Sequence, residues 1–177
     1  GALLLALLAM LHAVSQPVRG DSVHTVPSAR AHVPGVAQPV VKQVALPHIL
    51  DDEDPRWHER VDYDLDWPAG LTYRDPATAR LGLLLPRVGT RFRVLLNGHE
   101  IHQVGWYAAP ERTVNTAWFP HLVPLPGALL RDHAPDNTLH IQVQAQLLER
   151  SGLWPVQLGA YDALFQRHRV LDLWQVT

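Results

Sequence analysis

Apolar and polar residues alternate with a period of two over several short stretches of the chain. Residues 137–147 carry the clearest case: Leu139, Ile141, Val143 and Ala145 point one way, and His140, Gln142, Gln144 and Gln146 the other. That period fits a strand with one buried face. Phe92, Val94 and Leu96 alternate in the same way with Arg91 and Arg93, and Val61, Tyr63, Leu65 and Trp67 with Asp62, Asp64 and Asp66. Between the two lies Arg80–Leu85, nearly all apolar, which predicts a central strand covered on both sides. Asn97-Gly98 follows the Arg91 strand, and both residues tolerate positive φ, so a tight hairpin turn returning through Glu100, Ile101, His102 and Val104 is predicted. Trp118–Leu125 reads as an edge strand, because Pro120 and Pro124 cannot donate to a central ladder. Val41–Leu46 and Pro155–Gly159 read as the first and last strands, and Asp162 as the cap of a helix over 163–170.

Strands this short, separated by turn residues and without a βαβ rhythm, define an all-β fold: an antiparallel β-sandwich or jelly roll with a short C-terminal helix. Fifteen Pro and eleven Gly in 177 residues agree with a loop-rich β protein, and the length suits one domain with appendages. The formal charge of −2 and the scattered basic residues argue against a nucleic-acid partner. With no Cys, disulfides, zinc–thiolate sites and thiol catalysis are excluded.

Ahead of the first strand, Ala2–Leu11 is an unbroken apolar run of signal-peptide length, followed by Ala13-Val14-Ser15 with small residues suited to signal peptidase. A buried helix is the other reading of that run. Gln16–Val40, with four Pro and no period, reads as a linker. The division expected is therefore 1–15 apolar leader, 16–40 linker, 41–160 β-sandwich, and 161–177 helix and exit.

Catalytic and cofactor motifs are missing. Ser151 has no surrounding G-x-S-x-G, and there is no phosphate-cradling glycine loop. The D-x-D-x-D of Asp62, Asp64 and Asp66 lacks the Gly and Glu of a calcium loop, with Trp67 and Tyr73 standing there instead. Those carboxylates are expected to be solvated or paired with Arg60, Arg91 or Arg93. The eleven His are scattered, and His99 and His102 have opposite parity, so no metal site and no cofactor is expected. What remains is a binding surface in or beside the long loop after the hairpin: Trp106, Tyr107, Arg112, Asn115, Trp118 and His121. Flat rings stack on sugars, and Arg, Asn and His bond hydroxyls or carboxylates. The competing reading makes Trp106 and Trp118 core or rim residues.

From Leu46-Pro47 through the Tyr63 strand, the Asn97-Gly98 hairpin, the Trp118–Pro126 segment and the closing Asn137–Val143 strand, the chain resembles galactose-binding-like jelly-roll domains. Sugar-binding domains of family 2 glycosidases carry a similar hairpin and closing strand, although Pro135 stands where they usually have Gly. The nearer resemblance is to extracytoplasmic sensor domains of bacterial receptors that carry diverse intracellular signalling modules. It implies a periplasmic, non-catalytic ligand-sensing domain, tethered to the inner membrane and preceding a histidine kinase or diguanylate cyclase. The ligand would be a small molecule such as a carbohydrate or organic acid, and a homodimer is possible for this class. The alternatives are a carbohydrate-binding accessory module of an exported glycoside hydrolase and a structural protein-interaction domain.

Overall fold

A computed structural model describes residues 23–33, 41–50, 60–106, 119–144 and 151–175. The strands are β1 (His24–Val26), β2 (Ser28–His32), β3 (Val41–Ala45), β4 (His48–Ile49), β5 (Val61–Leu65), β6 (Leu81–Leu85), β7 (Arg91–Leu96), β8 (His99–Val104), β9 (His121–Leu125), β10 (Leu139–Gln144), β11 (Gly152–Leu153) and β12 (Val156–Ala160). A helix, α1 (Tyr161–Gln175), follows without a break. A six-stranded sheet runs β3-β2-β5-β10-β7-β8 and a four-stranded sheet β1-β12-β6-β9, while β4 and β11 form a small pair. Every pairing is antiparallel. The all-β sandwich expected from the alternation is the observed fold.

The core fills the space between the sheets. Tyr63, Phe92, Ile141, Leu83, Leu85 and Leu158 are among its fully buried side chains, and each sits on the apolar phase of its strand. β10 lies between β5 and β7, which explains its clean alternation: its neighbours on both sides repeat the same apolar and polar phases. All five residues of β6 are buried, as expected, because α1 covers the outer side of the four-stranded sheet. Gly82 is what lets the helix approach: a Cβ there would come within 3.1 Å of Tyr161 and 3.3 Å of Leu164. Tyr161 N–H donates to the Arg80 carbonyl at 2.9 Å, fixing where the helix leaves the sheet. The helix extends from 161 to 175, beyond the predicted 163–170.

The segment read as a linker contributes two strands, a correction to the predicted boundary at residue 41. β1 joins the four-stranded sheet and β2 the six-stranded sheet, so the chain crosses the sandwich at Pro27. The Pro27 carbonyl accepts a hydrogen bond from Leu46 N–H at 2.8 Å. Ala29 and Ala31 face the core at 1% and 0% exposure. Side chains this small give the period of two little hydrophobic weight. Residues 1–22, which include Ala2–Leu11, and 34–40 lie outside the described residues.

The hairpin of β7 and β8 turns at Asn97 (φ 51°) and Gly98 (φ 85°), as expected. The Asn97 side chain does more than turn the chain. Its Nδ2 donates to the Leu129 carbonyl at 2.7 Å and to Asn137 Oδ1 at 2.9 Å, and its Oδ1 accepts from Thr138 N–H at 2.8 Å. Asn137, 3% exposed, is the other half of this latch. Its Oδ1 also accepts from Arg131 N–H at 2.9 Å, and its Nδ2 donates to Tyr73 Oη at 2.6 Å and the Ala134 carbonyl at 2.7 Å. The latch ties the hairpin tip to the loop that delivers β10. Truncating Asn137 to Ala strands several buried donors and acceptors, so Asn137→Ala is expected to lower unfolding free energy by about 2–4 kcal/mol. Urea denaturation checks this; a loss below about 1 kcal/mol would mean that the loop re-pairs without it.

Candidate functional site

The polar phases of β2, β5, β10 and β7 converge on the outer face of the six-stranded sheet. Register puts His32, Asp62, Gln142 and Arg93 in one row, and Arg30, Asp64 and His140 in the next. Side chains directly opposite on one face are close enough to bond. Arg60 clamps Asp62 with both ends of its fork, Nε to Oδ1 at 2.7 Å and Nη2 to Oδ2 at 2.8 Å. Gln142 Nε2 donates to Asp62 Oδ2 at 3.0 Å, Arg93 Nε donates to Gln142 Oε1, and Arg93 Nη1 donates to Glu100 Oε2 at 3.2 Å. The result is a continuous chain of charge-assisted hydrogen bonds across four strands.

Both expectations for the aspartates are met, each at a different position: Asp62 is paired with Arg60, and Asp66 lies at the surface. The Asp62 side chain is only 9% exposed, and His32 Nε2 approaches it at 3.7 Å in addition to Arg60. Asp64 pairs with His140 and lies 4.0 Å from His32 Nδ1, while Asp66 pairs at the surface with Arg30 at 3.4 Å. Of the three arginines proposed as partners, Arg60 holds Asp62 directly; Arg93 connects to it through Gln142, and Arg91 bonds the end of β8.

That end is where Trp106 sits. Gly105 takes φ 61°, and the chain bends so that Arg91 donates to two successive carbonyls, Nε to Gly105 at 3.0 Å and Nη2 to Trp106 at 3.3 Å. Trp106 N–H donates to Gln103 Oε1 at 3.3 Å. Trp106 is 8% exposed. The Arg93 guanidinium lies 4.6 Å from its ring centroid and that of Arg60 5.6 Å away. Each such cation–π contact contributes about 0.5–2 kcal/mol, more as the pair is desolvated. Trp106 is thus a buried platform under two arginines that are themselves held by Asp62, Gln142 and Glu100.

Of the other predicted surface residues, Tyr107, Arg112, Asn115 and Trp118 lie outside the described residues. His121 opens β9, and its ring packs 4.9 Å from Phe92 and 5.9 Å from His102. Phe92 and Arg93 are adjacent on β7 and point to opposite faces, so His121 lies on the core side and Trp106 on the outer side. The sheet separates them. A bulge between Val94 and Leu95 changes the parity of β8. His102 therefore pairs with inward-facing Val94, and His99 with inward-facing Leu96, where simple alternation places the two on opposite sides. Among the described residues no three His, Asp or Glu converge on a metal site.

Sequence reading named Arg60 and Arg93 as partners for the aspartates but missed that Gln142 and Glu100 join them in one group. Each polar phase was visible in its own strand. Which strands lie side by side was not.

No family model and no curated protein matches this sequence. Solved structures do. A GH2 β-galacturonidase from Eisenbergiella tayi, bound to galacturonate, aligns with 78% of this chain and 24% of its own at a TM-score of 0.55 and 15% identity. A β-D-glucuronidase from Dictyoglomus thermophilum aligns with 82% of this chain and 29% of its own at 0.56 and 10% identity. A glycosyl hydrolase family 2 member from Bacteroides cellulosilyticus aligns with 77% of this chain and 20% of its own at 0.55 and 13% identity. The likeness is one of fold, and the chain spans under a third of the length of these enzymes.

The Asp62 clamp is expected to be structural. Asp62→Ala leaves Arg60 without its carboxylate and Gln142 without an acceptor, and should cost about 3 kcal/mol in urea unfolding. Pairing it with Arg60→Ala should recover part of that loss, and strict additivity of the two would show that the pair is not coupled.

Proposed function

We propose that this chain is a non-catalytic carbohydrate-binding accessory module of a larger carbohydrate-active enzyme. The observation that carries the proposal is the repeated likeness to family 2 glycoside hydrolase chains, over about four-fifths of this chain and under a third of theirs. The missing catalytic motifs in the sequence support it, and so does the sandwich, a scaffold on which sites for many functions are grafted. An exported location belongs to the proposal and rests on the apolar run Ala2–Leu11.

The proposed ligand surface is the Trp106 end of the six-stranded sheet, with Tyr107, Arg112, Asn115 and Trp118 following in the chain. A sugar there would meet the guanidinium layer of Arg60 and Arg93 and not a bare indole face. Arg60 gives Nε and one Nη2 proton to Asp62, and its remaining N–H groups could donate to the carboxylate of an acidic sugar. Galacturonate, the ligand in one of the similar enzymes, is therefore the first sugar to try.

A second reading, the ligand-sensing domain of a membrane receptor, has one feature in its favour. β12 runs directly into α1, giving an uninterrupted path from sheet to helix. Among the described residues no helix is long and apolar enough to cross a membrane. An encoded apolar span of about 20 residues after the helix would favour the receptor; a catalytic domain would favour the accessory module.

Titration of the ¹⁵N-labelled chain with galacturonate, glucuronate and galactose tests the proposal. Saturable shifts at the Trp106 indole are expected with dissociation constants of about 1 mM, a typical single-sugar strength of roughly 4 kcal/mol. The uronates should bind more tightly than galactose, and Arg93→Met should weaken them at least about fivefold, a loss near 1 kcal/mol. If none of the three sugars perturbs the spectrum, the chain is not a module for these sugars.

A further inference from the structure

Beneath the Trp106 face, the two sheets meet at a seam closed by rings. β8 ends the six-stranded sheet and β9 ends the four-stranded sheet, and the two edges touch. His102 of β8 and His121 of β9 face each other across this seam with ring centroids 5.9 Å apart. Both pack on Phe92 of β7, at 5.8 and 4.9 Å. Nε2 of His102 is buried with no hydrogen-bond partner.

The surroundings suit a neutral imidazole. β7 turns Phe92 and Val94 toward His102, while Arg91 and Arg93 lie on the far face. On β8 its neighbours Ile101 and Val104 pack against the core, whereas Glu100 and Gln103 are on the outer side, Glu100 with Arg93 and Gln103 with Trp106 N–H. β9 contributes His121 and the buried Val123. On α1, which packs on β9, His168 Nε2 meets the Pro120 carbonyl at 3.1 Å, and its Nδ1 pairs with Asp172 at 3.1 Å. No carboxylate among these described groups faces His102. Burial accordingly holds its imidazole below the usual value.

We propose that the His102–Phe92–His121 seam is an acid-sensitive latch that controls the geometry of the Trp106 face. A protonated imidazole must donate from both ring nitrogens, and the buried Nε2 meets no acceptor in this seam, so acidification drives the ring toward water. The strand that would move is β8, and β8 delivers Gly105 and Trp106. Loosening it weakens the two Arg91 bonds to the Gly105 and Trp106 carbonyls and the Arg93 stack on the indole. The effect on ligand binding rests on the reading of Trp106 as the binding face, but the mechanical coupling does not.

The sign follows from linkage. The closed seam favours neutral His102, and the opened or unfolded chain has the ordinary value of about 6.5. The stability of the closed form is therefore complete above about pH 6.5 and falls as pH drops through the window between that value and the lowered one.

A pH titration of the full chain by NMR, with no sugar present, tests the latch separately from carbohydrate binding. His102 should titrate with a midpoint below about 6.5, and the Trp106 indole N–H, identified by Trp106→Phe, should shift with the same midpoint. In His102→Gln, checked for native spectra at pH 8, the Trp106 transition should vanish. The wild-type titration decides the matter even if that variant fails to fold. An indole that stays fixed while His102 titrates overturns the coupling, and an ordinary midpoint for His102 overturns the latch itself.

Discussion

The hydrogen-bonded clasp between Asn97 and Asn137 is the constraint on which the sandwich depends most. One amide sits at the hairpin tip in a left-handed conformation, the other in the loop leading to β10, and each satisfies the other. Because the carbonyl and amino groups of both are used, the clasp fixes β7 and β10 in a single register. A slip of one residue would carry Phe92, Val94, Ile141 and Val143 out of the core. It would also scatter the row of Asp62, Gln142 and Arg93 that forms the outer face. The same clasp thus orders both sides of the sheet.

The two sides then do different work. Inside, apolar burial dominates, and even the polar rings of His102 and His121 are used as flat packing surfaces against Phe92. Outside, the charges are partly exposed except for Asp62, which is held by Arg60, Gln142 and His32 at once. A buried carboxylate is tolerable only with this degree of pairing. Trp106 joins the two regimes: an apolar ring on the polar face, roofed by the arginines that the network holds in place. Binding at such a face would act through guanidinium chemistry, with the aromatic ring as support.

Much of the architecture was legible in the chain. The alternation of β5, β7 and β10, the apolar run of β6, the Asn97-Gly98 turn and the edge strand β9 all follow from local period and turn chemistry, although β9 starts at His121, after Pro120, and β5 stops at Leu65, before Trp67. β1 and β2 were not legible, because Ala29 and Ala31 earn their burial from close packing between strands and not from hydrophobicity. The facing of His102 was hidden as well, since a bulge resets parity without leaving a residue signature.

The candidate site divides in the same manner. The sequence by itself determined that Asp62, Arg93 and Gln142 lie on the polar phases of their strands, and that Trp106 ends a hairpin arm. It could not determine that β5, β10 and β7 are neighbours, since their residues lie as much as 80 positions apart. Only the tertiary structure joined Arg60 and Asp62 to Gln142, Arg93 and Glu100, covered Trp106 with guanidinium groups, and sent His121 to the opposite face of the sheet. The physical reason is that strand period is a local property of the chain, whereas adjacency is settled by burying all of the apolar phases together.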